Sequence, residues 1–359
     1  MSNDRNKTEM IKGRGAQINT ANRFLKHELV TEHIEGLDEE LQLSKSTQYL
    51  NEFPKKIINS VNSPDLNFGF SMNPYQGCEH GCIYCYARNT HTYWGLSPGI
   101  DFETKILIKP EAPKLLKAEL MKKNWKPAPI MLSGNTDCYQ PAERKFRITR
   151  QLLEVALKFR NPVGMITKNK LILRDLDLLK QLAQLNLVHV MISITSLDEE
   201  LRLNMEPRTA TAKNRLEVVR TLNTNGIPTG VMVAPIIPGL NSHEIPDIIE
   251  AAANAGALKA GMTMVRLNGD IGEIFTNWIR KAYPDKAEKV LNKIRSAHGG
   301  NLNDSNYGRR MKGDGIEADS IHQLFKNSVK RFLSERNFPE YDFTLFKRPA
   351  LNGQLDLFG

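Results

Sequence analysis

The chain has 359 residues, 40% of them hydrophobic, which suits two units or one large barrel with extensions, and a core that needs no disulfide or metal merely to hold it together. Lys and Arg number 49 against 40 Asp and Glu, and the resulting +9 permits a polyanionic partner without requiring one. No apolar run reaches the ~18 residues of a membrane span, and the opening MSNDRNKTEM is too polar for a secretory signal, so a cytoplasmic protein with no membrane partner is expected.

In chain order, residues 1–65 are polar and poorly periodic. Arg5, Lys7, Lys12, Arg14, Arg23 and Lys26 make the opening basic, and Glu35, Asp38, Glu39 and Glu40 turn the next stretch acidic. An N-terminal arm with little core of its own and a solvated acidic patch is expected. Residues 66–270 alternate between strand-length apolar runs and longer stretches of helical period. The predicted strands are residues 68–75, 129–133, 163–167, 187–194, 229–237 and 261–267. The predicted helices between them are 111–123, 143–160, 175–185, 213–225 and 243–255. Leu176, Leu179 and Leu182 share one helix face, as do Leu216, Val219 and Leu222. Gly226 and Pro228 supply the stop after the second of these.

Six such β-α units argue for an α/β fold with a parallel sheet, curled by right-handed crossovers into a partial (β/α)6 TIM-type barrel. Its active site is expected at the carboxyl ends of the strands. Residues 271–338 read as a helical C-terminal extension, with helices at 271–282, 285–297 and 317–336. The basic, Gly-rich loop Tyr307-Gly-Arg-Arg-Met-Lys-Gly313 interrupts it. Residues 339–359 read as a short extended tail.

Chemistry is concentrated in Asn73-Pro-Tyr-Gln-Gly-Cys78-Glu-His-Gly-Cys82-Ile-Tyr-Cys85-Tyr86, just after the first predicted strand. Three of the chain's four cysteines lie here, a crowding that points to metal chemistry rather than a disulfide framework. Thiolates spaced C-x3-C-x2-C hold three irons of a [4Fe–4S] cluster and leave the fourth without a protein ligand. Gly77 and Gly81 let the loop wrap closely. Tyr84 and Tyr86 bracket the last cysteine, to shield it or to contact a bound nucleotide. The alternative is structural zinc, which needs a fourth ligand from His80, His91 or Cys138 and has no second cysteine hook here.

This cysteine spacing, followed by an aromatic and opening a six-strand β-α pattern, resembles the radical S-adenosylmethionine superfamily. More narrowly, Gly77-Cys78, Cys82-Ile-Tyr-Cys85-Tyr86 and their flanks resemble the bacterial group related to spore photoproduct lyase. The resemblance runs from Lys12-Gly-Arg-Gly15 to the basic Gly-rich loop. It implies Cys78, Cys82 and Cys85 as cluster ligands, with S-adenosylmethionine chelating the open iron. A reducing electron donor then drives cleavage to a 5′-deoxyadenosyl radical, which removes hydrogen from a substrate.

The resemblance also implies cosubstrate contacts. Ser133, Asn135 and Asp137 fall near the methionyl amino group, unless they form only an ordinary Asx turn. Lys168 faces the carboxylate, with a solvated lysine as the alternative. Ser193 and Thr195 suit a ribose, and residues 231–238 the adenine. Glu206 and Arg208 form a charged loop on the same rim that binds cofactor or closes on itself as a pair. Arg215, on the following helix, reads as a surface pair with nearby acids.

Cys138 has two readings: a thiol that returns a hydrogen atom to a substrate radical, or a buried structural cysteine. Spore photoproduct lyase has a donor cysteine, but the Ser-x-x-x-Asp frame puts Gly134 at its place, a departure from the lyase's own route.

The end of the chain, Gln354-Leu-Asp-Leu-Phe358-Gly, resembles the peptide by which bacterial repair proteins bind the DNA polymerase sliding clamp. Leu357 and Phe358 would fill an apolar pocket while Gln354 makes an orienting hydrogen bond. Its alternative is a tail folded back on its own domain. Arg309, Arg310 and Lys312 suit phosphate contacts or form a solvated face. The expected function is a radical S-adenosylmethionine enzyme acting on nucleic acid, damaged or modified DNA, with clamp recruitment. Competing readings are the same chemistry on RNA or a protein, or a non-catalytic metal-binding adaptor of the clamp.

Overall fold

The runs of Val, Ile, Leu and Met expected as strands form a sheet, seen in a computed structural model that describes residues 10–22, 46–66 and 68–349. Strands β1 (Gln48–Asn51), β2 (Ile58–Ser60), β3 (Phe70–Met72) and β4 (Tyr75–Gln76) come first. The cysteine loop and a 3₁₀ segment (Tyr86–Trp94) follow, then α1 (Asp101–Thr104), β5 (Lys105–Ile108) and α2 (Ala112–Leu120). From there strands and helices alternate: β6 (Ile130–Leu132), α3 (Glu143–Phe146), α4 (Ile148–Phe159), β7 (Val163–Thr167), α5 (Leu176–Gln184) and β8 (Val188–Ser193). Next are α6 (Glu199–Met205), α7 (Ala212–Thr224), β9 (Thr229–Ile236), α8 (Ile245–Asn254) and β10 (Ala260–Met264). Three helices close the order: α9 (Ile271–Ala282), α10 (Pro284–Ala297) and α11 (Ile316–Leu333).

The main sheet runs β10-β9-β8-β7-β6-β3-β2. Its first six strands pair in parallel, and β2 joins antiparallel at the β3 edge. Each crossover therefore moves one strand along, giving the open, partial form of the expected barrel. One face of the strands carries Val188, Val190, Ile192, Val231 and Val233, fully buried beneath helical residues such as Leu179, Leu182, Val219 and Leu222. The other face sets methionine beside glycine: Met131 pairs with Gly164, Met191 with Gly230 and Met232 with Gly261.

Several elements depart from expectation. The predicted 143–160 helix is broken at Arg147, whose φ of 52° is left-handed. Buried Glu143 stabilises the break by accepting the Thr149 N–H at 2.9 Å, satisfying a free donor of the α4 start. Helix α6, not foreseen, is capped by Asp198, which accepts from the Glu200 and Leu201 N–H groups. A small second sheet, β1-β5-β4, pairs the short segments Gln48–Asn51 and Tyr75–Gln76 with the mostly apolar Lys105–Ile108.

The tail from residue 338 lies across the inner face at the amino ends of the strands. Tyr341 stacks on His189 at 3.9 Å between ring centroids and donates its hydroxyl to the Val163 carbonyl. A Cβ on Gly230 would come 3.0 Å from the Phe338 ring, so the glycine makes room for that ring. Among the described residues no helix is long and apolar enough to cross a membrane.

Candidate functional site

β3 and β4 deliver the chain into the cysteine loop at the carboxyl end of the sheet. Cys78 and Cys82 are buried, Cys85 is partly exposed, and all are free thiols. Gly77 and Gly81 hold φ of 78° and 68°, conformations that favour glycine. The loop is fixed by the Cys78 N–H to the Phe102 carbonyl (2.9 Å), the Ile83 N–H to the Met205 carbonyl (3.0 Å) and the Glu79 N–H to the Gln140 amide oxygen (3.1 Å). Fully buried Arg88 donates to the Cys82 carbonyl at 3.0 Å and pairs with fully buried Glu103.

Glu103 reaches further. Its carboxylate accepts the Gly15 and Ala16 N–H groups at 3.2 and 2.8 Å, while Arg14 donates to its carbonyl at 3.0 Å. Residues 14–17 are consequently buried on the cysteine loop, so the N-terminal stretch has core at this point. The Gly-Arg-Gly triplet was the sequence's signal for this packing, but neither Glu103 nor Arg88 announced itself.

Around the loop stand side chains from successive strand ends. Tyr84 places its hydroxyl 3.3 Å from Thr195 Oγ1, just past β8. Lys168, just past β7, has Nζ 3.5 Å from the same oxygen, 5.7 Å from the Tyr84 ring centre and 3.9 Å from Glu206. Glu206 is fully buried and pairs with Arg215 at 2.9 Å. Burial pushes its carboxyl up, but Arg215, then Lys168, bring it down to about 2. An ionised acid thus faces Lys168, and its second oxygen has no partner among the described residues.

Two expectations fail here. Glu206 pairs with Arg215 rather than Arg208, whose charge is felt instead by Arg14 and Tyr49. Arg215 is no surface residue: it is 1% exposed and also donates to the Ser193 and Ala210 carbonyls. Its position four residues before Val219 and seven before Leu222 puts it on the buried face of α7, a spacing legible in sequence.

The residues expected near the methionyl amino group make bonds within the chain. Asp137 spends its carboxylate on Thr167 Oγ1 (2.8 Å), the Lys168 and Tyr139 N–H groups (2.9 and 2.8 Å) and His80 Nδ1 (3.3 Å). That ties the ends of β6 and β7 to the cysteine loop and leaves no oxygen free for an ammonium. Burial raises its carboxyl, but His80 and these donors hold it below the usual carboxylate range. Ser133, at φ 66°, accepts the Cys138 N–H at 2.8 Å, the turn its other reading foresaw. Asn135 donates to Gln76 at 2.9 Å. Ser193 and Thr195 are buried, whereas Tyr86 is half-exposed and donates to the Gly134 carbonyl at 2.7 Å.

Cys138, read either as a rim hydrogen donor or as a buried structural cysteine, is fully buried in the apolar core that holds Leu132 and Met165. Burial pushes its thiol well up, and the structural reading applies. The basic loop is also largely neutralised: Arg309 pairs with Asp304 and Arg310 with Asp65, leaving Lys312 exposed. Gln354–Phe358 lies outside the described residues.

The cysteine thiols fit an iron–sulfur cluster. Burial pushes all three up, and Asp137, Cys82 and Cys85 add to the effect at Cys78, as Glu206 does at Cys82. Such thiols ionise when a metal cation balances them. Among the described residues no three His, Cys, Asp or Glu side chains gather as a single ion requires. A cluster asks less convergence, since each cysteine binds its own iron.

Comparison with known proteins adds to this geometry. The Radical SAM superfamily model matches residues 72–252. An uncharacterized protein of Mycobacterium tuberculosis is 32% identical over 234 residues, covering 64% of this chain and 69% of that protein. One from Methanocaldococcus jannaschii is 28% identical over 242 residues, 67% of this chain and 85% of the other. Among solved structures, spore photoproduct lyase complexed with dinucleoside spore photoproduct superimposes with a TM-score of 0.60 at 15% identity, covering 84% of this chain and 85% of that one. A variant of the lyase with bound AdoMet and the dinucleoside gives 0.58 at 14%, covering 79% of each. At such identities the likeness is one of fold.

Proposed function

Because the chain belongs to the Radical SAM superfamily, whose enzymes use a [4Fe–4S] cluster and S-adenosylmethionine, we propose that Cys78, Cys82 and Cys85 each bind one iron of that cluster. One observation carries the reading. The three cysteines lie on a single loop at the carboxyl end of β3, and the charged and hydroxyl groups around them come from the carboxyl ends of neighbouring strands. When bound, the cluster and cosubstrate supply a 5′-deoxyadenosyl radical that takes a hydrogen atom from a substrate.

The chain's own residues do the positioning. Lys168 receives the cosubstrate carboxylate, held in place by Glu206 and Thr195. Arg215 fixes that arrangement from beneath, joining Glu206 to the end of β8 through the Ser193 carbonyl. Tyr84 ties the cysteine loop to the end of β8 through Thr195. Asp137 acts as a positioning residue, not as a ligand of the cosubstrate ammonium.

The substrate in this reading is DNA carrying a damaged or modified base. The net charge of +9 supports it, as does a fold shared with spore photoproduct lyase in complex with a dinucleoside photoproduct. Burial of Cys138 argues that hydrogen return, where the reaction needs it, uses another group. Recruitment to a sliding clamp through Gln354–Phe358 belongs to the same reading.

The test is anaerobic. The cluster is reconstituted and reduced, S-adenosylmethionine is added, and 5′-deoxyadenosine is quantified with and without ultraviolet-irradiated DNA, beside a Cys82→Ala control. Product that needs Cys82 and changes in yield with damaged DNA supports the whole reading. Product indifferent to DNA removes the substrate assignment in favour of RNA or protein. No product from a verified four-iron cluster overturns the enzyme.

A further inference from the structure

Beyond β10 the chain continues as Val265-Arg266-Leu267-Asn268 onto the rim that bears the cysteine loop. Three neighbours hold this stretch rigid. The Val265 N–H meets the Ile236 carbonyl at 2.9 Å, His298 Nε2 meets the Val265 carbonyl at 2.7 Å, and the Leu267 N–H meets the Leu302 carbonyl at 3.2 Å. From the other side Asn89 donates to the Asn268 carbonyl at 2.7 Å. Asn89 sits three residues after Tyr86 on a 3₁₀ segment, so the two share a face, and Tyr86 follows Cys85 directly.

Arg266 differs from three other arginines of the chain. Arg88, Arg215 and Arg310 each hold a carboxylate. Arg266 holds none among the described residues, and its Nε is buried without a partner. The carboxylate whose charge reaches it, Asp65, is already taken by Arg310 and the Gly308 N–H. Burial, then the neighbouring Arg310, disfavour its charge. A guanidinium half out of water and beside a second cation is stabilised by an arriving anion.

Tyr86 is close enough for its charge to reach Arg266, and it is half exposed. A guanidinium that holds no carboxylate among the described residues, beside an exposed aromatic ring, matches a nucleotide. Its phosphate is an anion and its base has a flat surface.

We infer that Arg266 takes a phosphate oxygen of a nucleic-acid strand at the rim, with a base of that strand against Tyr86. This deepens the proposed function and rests on it for the location beside the cluster.

The experiment titrates reconstituted protein with a fluorescent single-stranded oligonucleotide over a salt series, comparing wild type, Arg266→Gln, Arg266→Lys and the exposed-surface control Lys326→Gln. Arg266→Gln is expected to weaken binding about tenfold and to reduce the slope of log affinity against log salt by roughly 0.7–1, one phosphate contact. Arg266→Lys is expected to recover most of the slope but not all of the affinity, and Lys326→Gln to move neither. Cluster absorption and Tm confirm that each variant is folded.

An affinity and slope unchanged in Arg266→Gln overturn the inference, as does equal competition by a polyglutamate peptide of the same length. Wild type that forms 5′-deoxyadenosine yet binds no oligonucleotide overturns this inference and leaves the radical chemistry standing. Binding that depends on Arg266 in a protein that forms no 5′-deoxyadenosine does the reverse.

Discussion

Gly15 lies against Gly81 so closely that a methyl group on it would sit 1.8 Å from the Gly81 carbonyl oxygen and 3.0 Å from the carbonyl carbon. The opposing atoms are backbone of the cysteine loop, which Arg88 and Glu103 hold from the other side. Gly15→Ala must therefore expel residues 14–17 or bend the loop between Cys78 and Cys82. Iron and sulfide retained after reconstitution are expected to fall below about half of wild type, a loss comparable to disturbing a metal ligand's support. Gly69→Ala, where the added carbon meets open space, is the control and is expected to load normally.

Glu206 and Arg215 make a buried pair whose breakage strands a guanidinium. Glu206→Gln is expected to cost about 3–5 kcal/mol at neutral pH, read from urea unfolding. The gap has a pH dependence of known sign. Glu206 titrates near 2 in the fold against 4.5 ordinarily, so its stabilisation is complete above pH 4.5 and is lost as pH falls from there through about 2. Wild type and variant should draw together by on the order of 2 kcal/mol between pH 7 and pH 3.

The two kinds of cysteine should separate cleanly. Cys82→Ala is expected to lose the cluster's absorption and all 5′-deoxyadenosine. Cys138→Ala should keep 5′-deoxyadenosine within about twofold while losing roughly 1–2 kcal/mol of stability to the void it leaves in the core. A Cys138→Ala protein that forms the cluster and cleaves the cosubstrate but fails on substrate would restore the hydrogen-donor role.

Tyr341 anchors the tail to the foot of the barrel. Tyr341→Ala is expected to cost roughly 3 kcal/mol in urea unfolding and to raise hydrogen exchange at the Asp342 N–H, which bonds to the Asn186 carbonyl. Tyr341→Phe keeps the stack on His189 and loses only the hydroxyl bond to Val163, about 1 kcal/mol.

What sequence could and could not convey follows from the range of the interactions. The six parallel strands were legible because each is a short apolar run, and the helices because their buried faces repeat locally. Strand β1 was not, since Gln48–Asn51 is polar at both ends and becomes a strand only by pairing with Lys105–Ile108. The cysteine spacing announced its chemistry, but its support did not: Arg88, Glu103 and Gly15 meet through folding over long separations. Asp137 and Ser133 are polar residues at a strand end. Asp137 bonds Thr167 and His80 of the cysteine loop, Ser133 closes its own turn, and nothing in the sequence fixes those directions. Arg215 was misjudged because charge suggested surface, although its helical spacing with Val219 and Leu222 said otherwise.

The tail at the amino ends of the strands has a consequence for traffic. With Phe338 and Tyr341 packed around Gly230, Gly164 and His189, the inner face is covered at the amino ends of the strands. A molecule that reaches the cysteine loop does not come from beneath, past these two rings.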